Sequence, residues 1–312
     1  MRVGEHAGHD HRRVMVSEPR PFVVALAITI ALLAVEAVGG WLTGSLALLA
    51  DAGHLLVDVG TLGIGFVASW LASRPATVRM SYGYRRAEIL AAVINGLALW
   101  AVAAAIVYEA VQRVQVPHPV SAPGMLGVAL VGLAGNLASG AVLARDRNAN
   151  LNVRAAFAHI LADAAAAVGT IAASVVILTT GWTRADAVAG LGIAALILVG
   201  SWSLLREALH ILMEGAPAHL SATEVETAMR DVPGVAGVHD LHIWSLTSGV
   251  EAVSGHVVVV DPADRQRVLG DLCRLLSDRY GLGHVTLQVE AEHPVDPWHP
   301  NCTPGTRTGS AR

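Results

Sequence analysis

Six apolar runs dominate the first two thirds of the chain, at residues 22–41, 46–71, 87–111, 122–143, 153–180 and 185–213. A helix needs roughly 20 mostly apolar residues to cross a hydrocarbon core, so this pattern predicts six transmembrane helices. The polar stretches between them alternate in length. Leu42-Thr43-Gly44-Ser45 leaves room only for a tight turn, whereas residues 72–86 form a longer polar loop. After Glu214 the pattern becomes an ordinary soluble mix. Ser221-Ala-Thr-Glu224 has the form of a capping box, opening a helix that ends near Pro233-Gly234. Residues 235–246 and 251–260 alternate like strands around the turn Thr247-Ser248-Gly249; Asp261-Pro262 opens a helix to about residue 280, and residues 284–290 read as a last strand.

The predicted fold class is a membrane protein with an all-α six-helix transmembrane bundle followed by a small α+β domain. Its parts are a His-containing tail at 1–20, the membrane domain at 21–213, the α+β domain at 214–292 and a flexible tail at 293–312. A domain of about 80 residues is near the lower limit for independent folding. Pairing with a second copy would add burial.

The arginines orient the bundle. Arg2, Arg12, Arg13 and Arg20 precede the first helix, Arg74, Arg79, Arg85 and Arg86 follow the second, and Arg145, Arg147 and Arg154 follow the fourth. The opposite side has Arg113 and Arg184 alone. By the positive-inside rule both termini are cytoplasmic. Composition fits this placement: 54% of residues are hydrophobic, 15% are charged, and mean hydropathy is +0.53, far from the values of a soluble domain. The chain has no Lys, a usage typical of a GC-rich bacterial genome, so the inner membrane of a bacterium is the expected location. A net charge of -4 gives no basis for a nucleic-acid partner. Cys273 and Cys302 are too few for a disulfide framework. Residues 1–20 are polar and lack an apolar signal core, so no cleaved targeting segment is predicted.

Against this apolar background two matched pairs stand out, His54-x-x-x-Asp58 and His159-x-x-x-Asp163. The i to i+4 spacing puts both members of a pair on one helix face. Two facing helices could then offer two imidazoles and two carboxylates to one dication, giving a neutral cluster whose desolvation cost is much reduced. A lone intramembrane His or Asp can serve packing or capping; four ionisable groups able to converge are costly to hold in hydrocarbon without a function. Mixed nitrogen and oxygen donors at four-coordinate geometry suit zinc and would accept cobalt or cadmium, while magnesium and calcium require more oxygens. Imidazole titrates near pH ~6.5, so protons compete with the metal for the same lone pairs. In a bundle opening alternately to each side, that competition couples outward metal movement to inward proton movement.

Asp51, about two turns before Asp58, reads as a pathway carboxylate outside the ligand set. Asn95, Asn136 and Ser139 are expected to make interhelical hydrogen bonds. Glu36 fits either role, and Glu109 falls where it can reach water. Two other classes share these features: an intramembrane zinc metalloenzyme, whose metal would need an open position to activate water, and a membrane metal sensor signalling through the soluble domain. Four symmetric ligands would close the coordination shell. That favours a transporter over an enzyme.

Several strings resemble the cation diffusion facilitator family, in particular its zinc-transporter subgroup. They are Ser45-Leu-Ala-Leu-Leu-Ala-Asp51-Ala-Gly-His54-Leu-Leu-Val-Asp58, Tyr82-Gly-Tyr84-Arg85-Arg86-Ala-Glu88, His159-Ile-Leu-Ala-Asp163, His239-Asp-Leu-His242-Ile-Trp244 and Thr286-Leu-Gln-Val-Glu290. The resemblance implies a homodimeric antiporter exchanging cytoplasmic zinc for protons, with a ferredoxin-like, metallochaperone-like cytoplasmic domain. Its transport ligands would be His54, Asp58, His159 and Asp163, and zinc would be both the transported substrate and a regulatory ligand. In the cytoplasmic domain the matching positions are His242, His256 and Glu290. His239 is a further candidate, although its strand parity is opposite to that of His242. Tyr84, Arg85 and Arg86 stand where some members carry a loop His, so no loop ligand is implied. Arg86 and Glu214 match a charged lock between the helices and the last domain. His6, His9 and His11 form a tract that either delivers zinc or is simply a solvated tail; His284, His299 and Cys302 are weaker candidates.

Overall fold

The structure, a computed structural model, describes residues 20–144, 151–260 and 264–291. Among these, six helices are long and apolar enough to cross a membrane. They are α1 (Arg20–Thr43), α2 (Leu46–Ala72), α3 (Ala87–Gln115), α4 (Ala122–Ala144), α5 (Leu151–Thr180) and α6 (Arg184–Leu212). Helix is what hydrocarbon demands of a single chain segment, because it satisfies every backbone polar group internally. By contacts, the chain divides into two compact units: one from residues up to Gly60 and Leu99–Leu198, the other from Thr61–Ala98 and residues after Leu198.

In the first unit, alanines line much of the packed interior beside Leu48, Met125 and Ile193, and other large apolar side chains face outward. Ala47, Ala50, Ala103, Ala129, Ala166 and Ala194 are buried, whereas Trp41, Leu56 and Leu161 are exposed on the helix surfaces that lipid would cover. Glycines let α1 and α4 approach closely. A Cβ at Gly39 would lie 2.6 Å from Val128 Cγ2, and one at Gly135 would lie 2.7 Å from Leu32 Cδ2. Such small-residue contacts replace the hydrophobic drive that helices lose inside a bilayer. The turn between α1 and α2 depends on Gly44, whose φ of 72° suits glycine and whose Cβ would meet Pro119 O at 2.8 Å.

The second unit contains the α+β domain, with α7 (Ala222–Arg230), β1 (Val235–Thr247), β2 (Val250–Val259), α8 (Arg265–Tyr280) and β3 (His284–Ala291). The sheet order is β1-β2-β3. β1 and β2 form an antiparallel hairpin, and β2 pairs with β3 in parallel, which requires the crossover that α8 supplies. Ser221 caps α7 by accepting from Glu224 N at 3.4 Å. Gly281, at φ 69°, ends α8, and Leu282 N reaches back to Leu276 O at 3.0 Å. Val225, Met229, Val253, Val257, Leu272 and Leu276 form the buried core between the helices and one sheet face.

Still within this unit, Thr247 Oγ1 donates to Glu88 Oε2 at 2.9 Å, and Arg86 Nη2 meets Glu214 Oε1 at 3.0 Å. Asn95 forms the expected interhelical bond, with Thr61 Oγ1 donating to its amide oxygen. Because Leu272 is fully buried, Leu272→Ala should cost the α+β domain about 2–5 kcal/mol. Loss of hydrogen-exchange protection in β2, with α1 and α4 unaffected, is the measurement that checks it.

Candidate functional site

His54 and Asp58 lie one turn apart on α2, and His159 and Asp163 one turn apart on α5. The fold brings the pairs together. His159 Nε2 lies 3.0 Å from Asp58 Oδ2 and 3.9 Å from Asp163 Oδ2. His54 Nε2 lies 3.5 Å from Asp58 Oδ2 and 3.6 Å from Asp163 Oδ1. The rings meet nearly edge to face, with centroids 5.4 Å apart. One ligand atom each from His54, His159 and Asp163 falls within a mutual 4.8 Å. Asp58 stands outside that trio but contacts both imidazoles. Burial is graded across the cluster, from 7% exposure at the Asp163 side chain to 47% at His159. One side of the site is therefore enclosed and the other accessible.

Chemically, the cluster offers two imidazole nitrogens and two carboxylate oxygens, a mixed donor set suited to a tetrahedral dication of the zinc type. The donors sit on regular helices, which hold side chains more tightly than loops do. Beside the cluster, Glu36 of α1 and Asp51 of α2 are both buried and share a side-chain hydrogen bond. That places Asp51 next to the site with a partner of its own. Glu109 accepts from Arg113 Nε at 2.9 Å.

A second cluster lies on the sheet of the α+β domain. His239 and His256 are cross-strand partners, with ring centroids 5.1 Å apart. Glu290 on β3 lies 2.7 Å from His256 Nδ1 and 3.5 Å from His239 Nε2. Among the described residues, these three form the second group of ligand atoms close enough to share a metal. The parity argument against His239 fails here. A β-bulge interrupts the β1–β2 register between His239 and His242, and Asp240 takes φ 51° within it; the extra residue resets the alternation. His239 pairs with His256, and His242 with Ser254 two residues away, so both histidines come to the same face. His242, expected as a primary ligand, instead contacts Asp240 Oδ1 at 3.1 Å, and Asp240 Oδ2 lies 3.9 Å from His256 Nε2. His239 takes the inner place.

Of the weaker candidates, His284 packs against Tyr82 with ring centroids 5.2 Å apart and joins neither cluster. His6, His9, His11, His299 and Cys302 lie outside the described residues. A further carboxylate, Asp186, is buried at the start of α6 and bonded to the start of α2. Its only sequence signal is an acid in a first helical turn.

Comparison with known proteins covers nearly the whole chain. Residues 22–213 match the cation efflux transmembrane domain, and residues 217–292 match the cation efflux protein cytoplasmic domain. A Bacillus velezensis cadmium, cobalt and zinc/H(+)-K(+) antiporter is 37% identical over 93% of this chain and 94% of its own length. The metal cation efflux system protein CzcD of Cupriavidus metallidurans is 40% identical over 91% of this chain and 90% of its own. The zinc transporter ZitB of Escherichia coli is 38% identical over 94% of each. A solved structure of the metal-bound C-terminal domain of the CzcD transporter is 42% identical and covers 23% of this chain and 99% of that one, with a TM-score of 0.21.

Electrostatics at the second cluster give a sign that can be measured. Burial alone would raise the Glu290 carboxyl, but the His256 hydrogen bond and the charges of His256 and His239 outweigh it and hold it below the usual glutamate range. These contacts favour the ionised form. They stabilise the metal-free domain above the unfolded-state value of about 4.3 and are lost as pH falls through the lower folded-state value. On acidification through that window the wild-type domain should lose more stability than Glu290→Gln, as measured by denaturant unfolding at each pH.

Proposed function

This chain belongs to the cation efflux family, and from that membership we propose that it exports zinc from the cytoplasm in exchange for protons. The observation that carries the proposal is the convergence of His54, Asp58, His159 and Asp163 from two apolar helices. Zinc held by the two imidazoles and two carboxylates leaves the cluster neutral, so the loaded site can reside at membrane depth. When the site faces the opposite side, protons displace the metal from His54 and His159. Return of those protons to the cytoplasm drives the next cycle. The similar antiporter, efflux protein and zinc transporter support both the exchange and the choice of metal. Cadmium and cobalt satisfy the same donor set. Membership of a transporter family sets aside the metalloenzyme reading.

The arginine asymmetry supports cytoplasmic termini and loading from that side, in a bacterial inner membrane. The membrane domain is taken as 21–213 and the cytoplasmic domain as 214–292, close to the two matched segments. In the cytoplasmic domain we assign a regulatory zinc to His239, His256 and Glu290, adjoined by Asp240 and His242. Its occupancy would clamp two copies into a homodimer and tune transport to cytoplasmic zinc. Arg86 and Glu214 would hold the lock within each copy.

Zinc flux in proteoliposomes with an imposed pH gradient tests the transport reading. Wild-type flux should require the gradient, and His54→Ala or Asp163→Asn should reduce it more than about tenfold, since even outer-shell partners of a metal ligand matter on that scale. Flux that ignores the gradient, or survives both substitutions, overturns it. His256→Ala should leave maximal flux intact and lower the zinc content of the purified protein by one ion per chain.

A further inference from the structure

The start of α2 is fastened from outside the helix. Leu46 N donates to Asp186 Oδ2 at 2.6 Å, Ala47 N to Asp186 Oδ1 at 3.1 Å, and Ser45 Oγ to the same Oδ1 at 2.6 Å. Leu48 N in turn donates to Ser45 Oγ at 3.3 Å. Asp186 is in the first turn of α6 and is 1% exposed. Arg113, in the last turn of α3, lies 3.7 Å from Asp186 Oδ2 and donates to Gly44 O at 2.5 Å. One carboxylate thus sits at the N-termini of two helices, with a cation from the C-terminus of a third.

The first N–H groups of any helix need outside acceptors, and a side chain at the N-cap ordinarily supplies one. Ser45 already does so for Leu48. A local Asp at that position would cap α2 without importing a buried carboxylate from another helix, whose desolvation is costly. What the distant carboxylate adds is a tether. It fixes both the height and the rotation of α2 relative to α6. His54 lies eight residues beyond Leu46, about 12 Å along the helix axis, with Asp58 one turn further. A slip or turn of α2 therefore moves both ligands together against His159 and Asp163 on α5. Metal coordination tolerates errors of only about 0.2 Å.

We infer that Asp186 is a positioning residue for the transport site, setting the register of α2 so that His54 and Asp58 meet the α5 pair. The inference rests on the reading of those residues as transport ligands. Measured as zinc flux in proteoliposomes, Asp186→Ala should raise the apparent KM about tenfold or more while leaving maximal rate within about threefold. Asp186→Asn, which keeps an acceptor oxygen but loses the charge, should fall between it and wild type.

The decisive variant is Ser45→Asp combined with Asp186→Ala, which returns a cap to α2 without the tether. It should recover the thermal stability lost in Asp186→Ala and keep the raised KM. An unchanged KM in both Asp186 variants overturns the inference. So does recovery of KM together with stability in the double variant, which would make the contact a cap and nothing more. Should Asp186→Ala fail to fold, Asp186→Asn and the double variant decide by the same criteria. His54→Ala separates this from the reading beneath it: wild-type flux there removes the transport site itself, whereas lost flux there with an unchanged KM in the Asp186 variants removes only the tether.

Discussion

Hydrocarbon offers no hydrogen bonds, and the membrane part of this protein follows from that. A backbone polar group without a partner costs several kcal/mol in such a medium, so the chain crosses as helix. An ionisable side chain costs more and must find its counterpart inside the bundle. His54, Asp58, His159 and Asp163 do this by meeting one another. The requirement that makes them compatible with the membrane also makes them a candidate metal site, since contacts that pair two imidazoles with two carboxylates gather atoms of the kind that hold a dication.

The rule also changes what holds helices in register. Side chains gain nothing by leaving lipid for a protein interior of equal polarity, so close backbone approach and polar contacts carry the specificity. Gly39 and Gly135 provide the first between α1 and α4. Asp186 provides the second, joining the starts of α2 and α6. Glycine contacts favour proximity but leave some freedom to slide. A carboxylate with three directed hydrogen bonds does not, so Asp186 fixes the start of α2, about 12 Å along that helix from the candidate ligand His54.

Water reaches the α+β domain, and the logic there is the ordinary one of a buried apolar core with a polar opposite face. Its candidate metal site depends on sheet register. A single inserted residue at Asp240 reverses the side-chain alternation along β1, so His239 pairs with His256 and His242 moves to the margin. The parallel pairing of β2 with β3 then sets Glu290 against both inner histidines.

Much of this was legible in the chain. Apolar run length alone placed all six membrane helices to within a few residues, because helix length across a bilayer is a matter of geometry and transfer energy that each segment satisfies by itself. The four candidate ligands in the membrane helices stand out for a related reason: charged groups are so rare in such runs that their spacing on one face is conspicuous. Local alternation likewise gave the order helix, strand, strand, helix, strand. What the sequence could not decide was anything set by contacts between distant segments. The bulge at Asp240 has no reliable local signature, since it is stabilised by pairing with β2. Asp186 looks like any acid in a first helical turn until α6 is placed beside the start of α2. Segment identity is written in each residue's preference for water or oil, but register between segments exists only once they are packed.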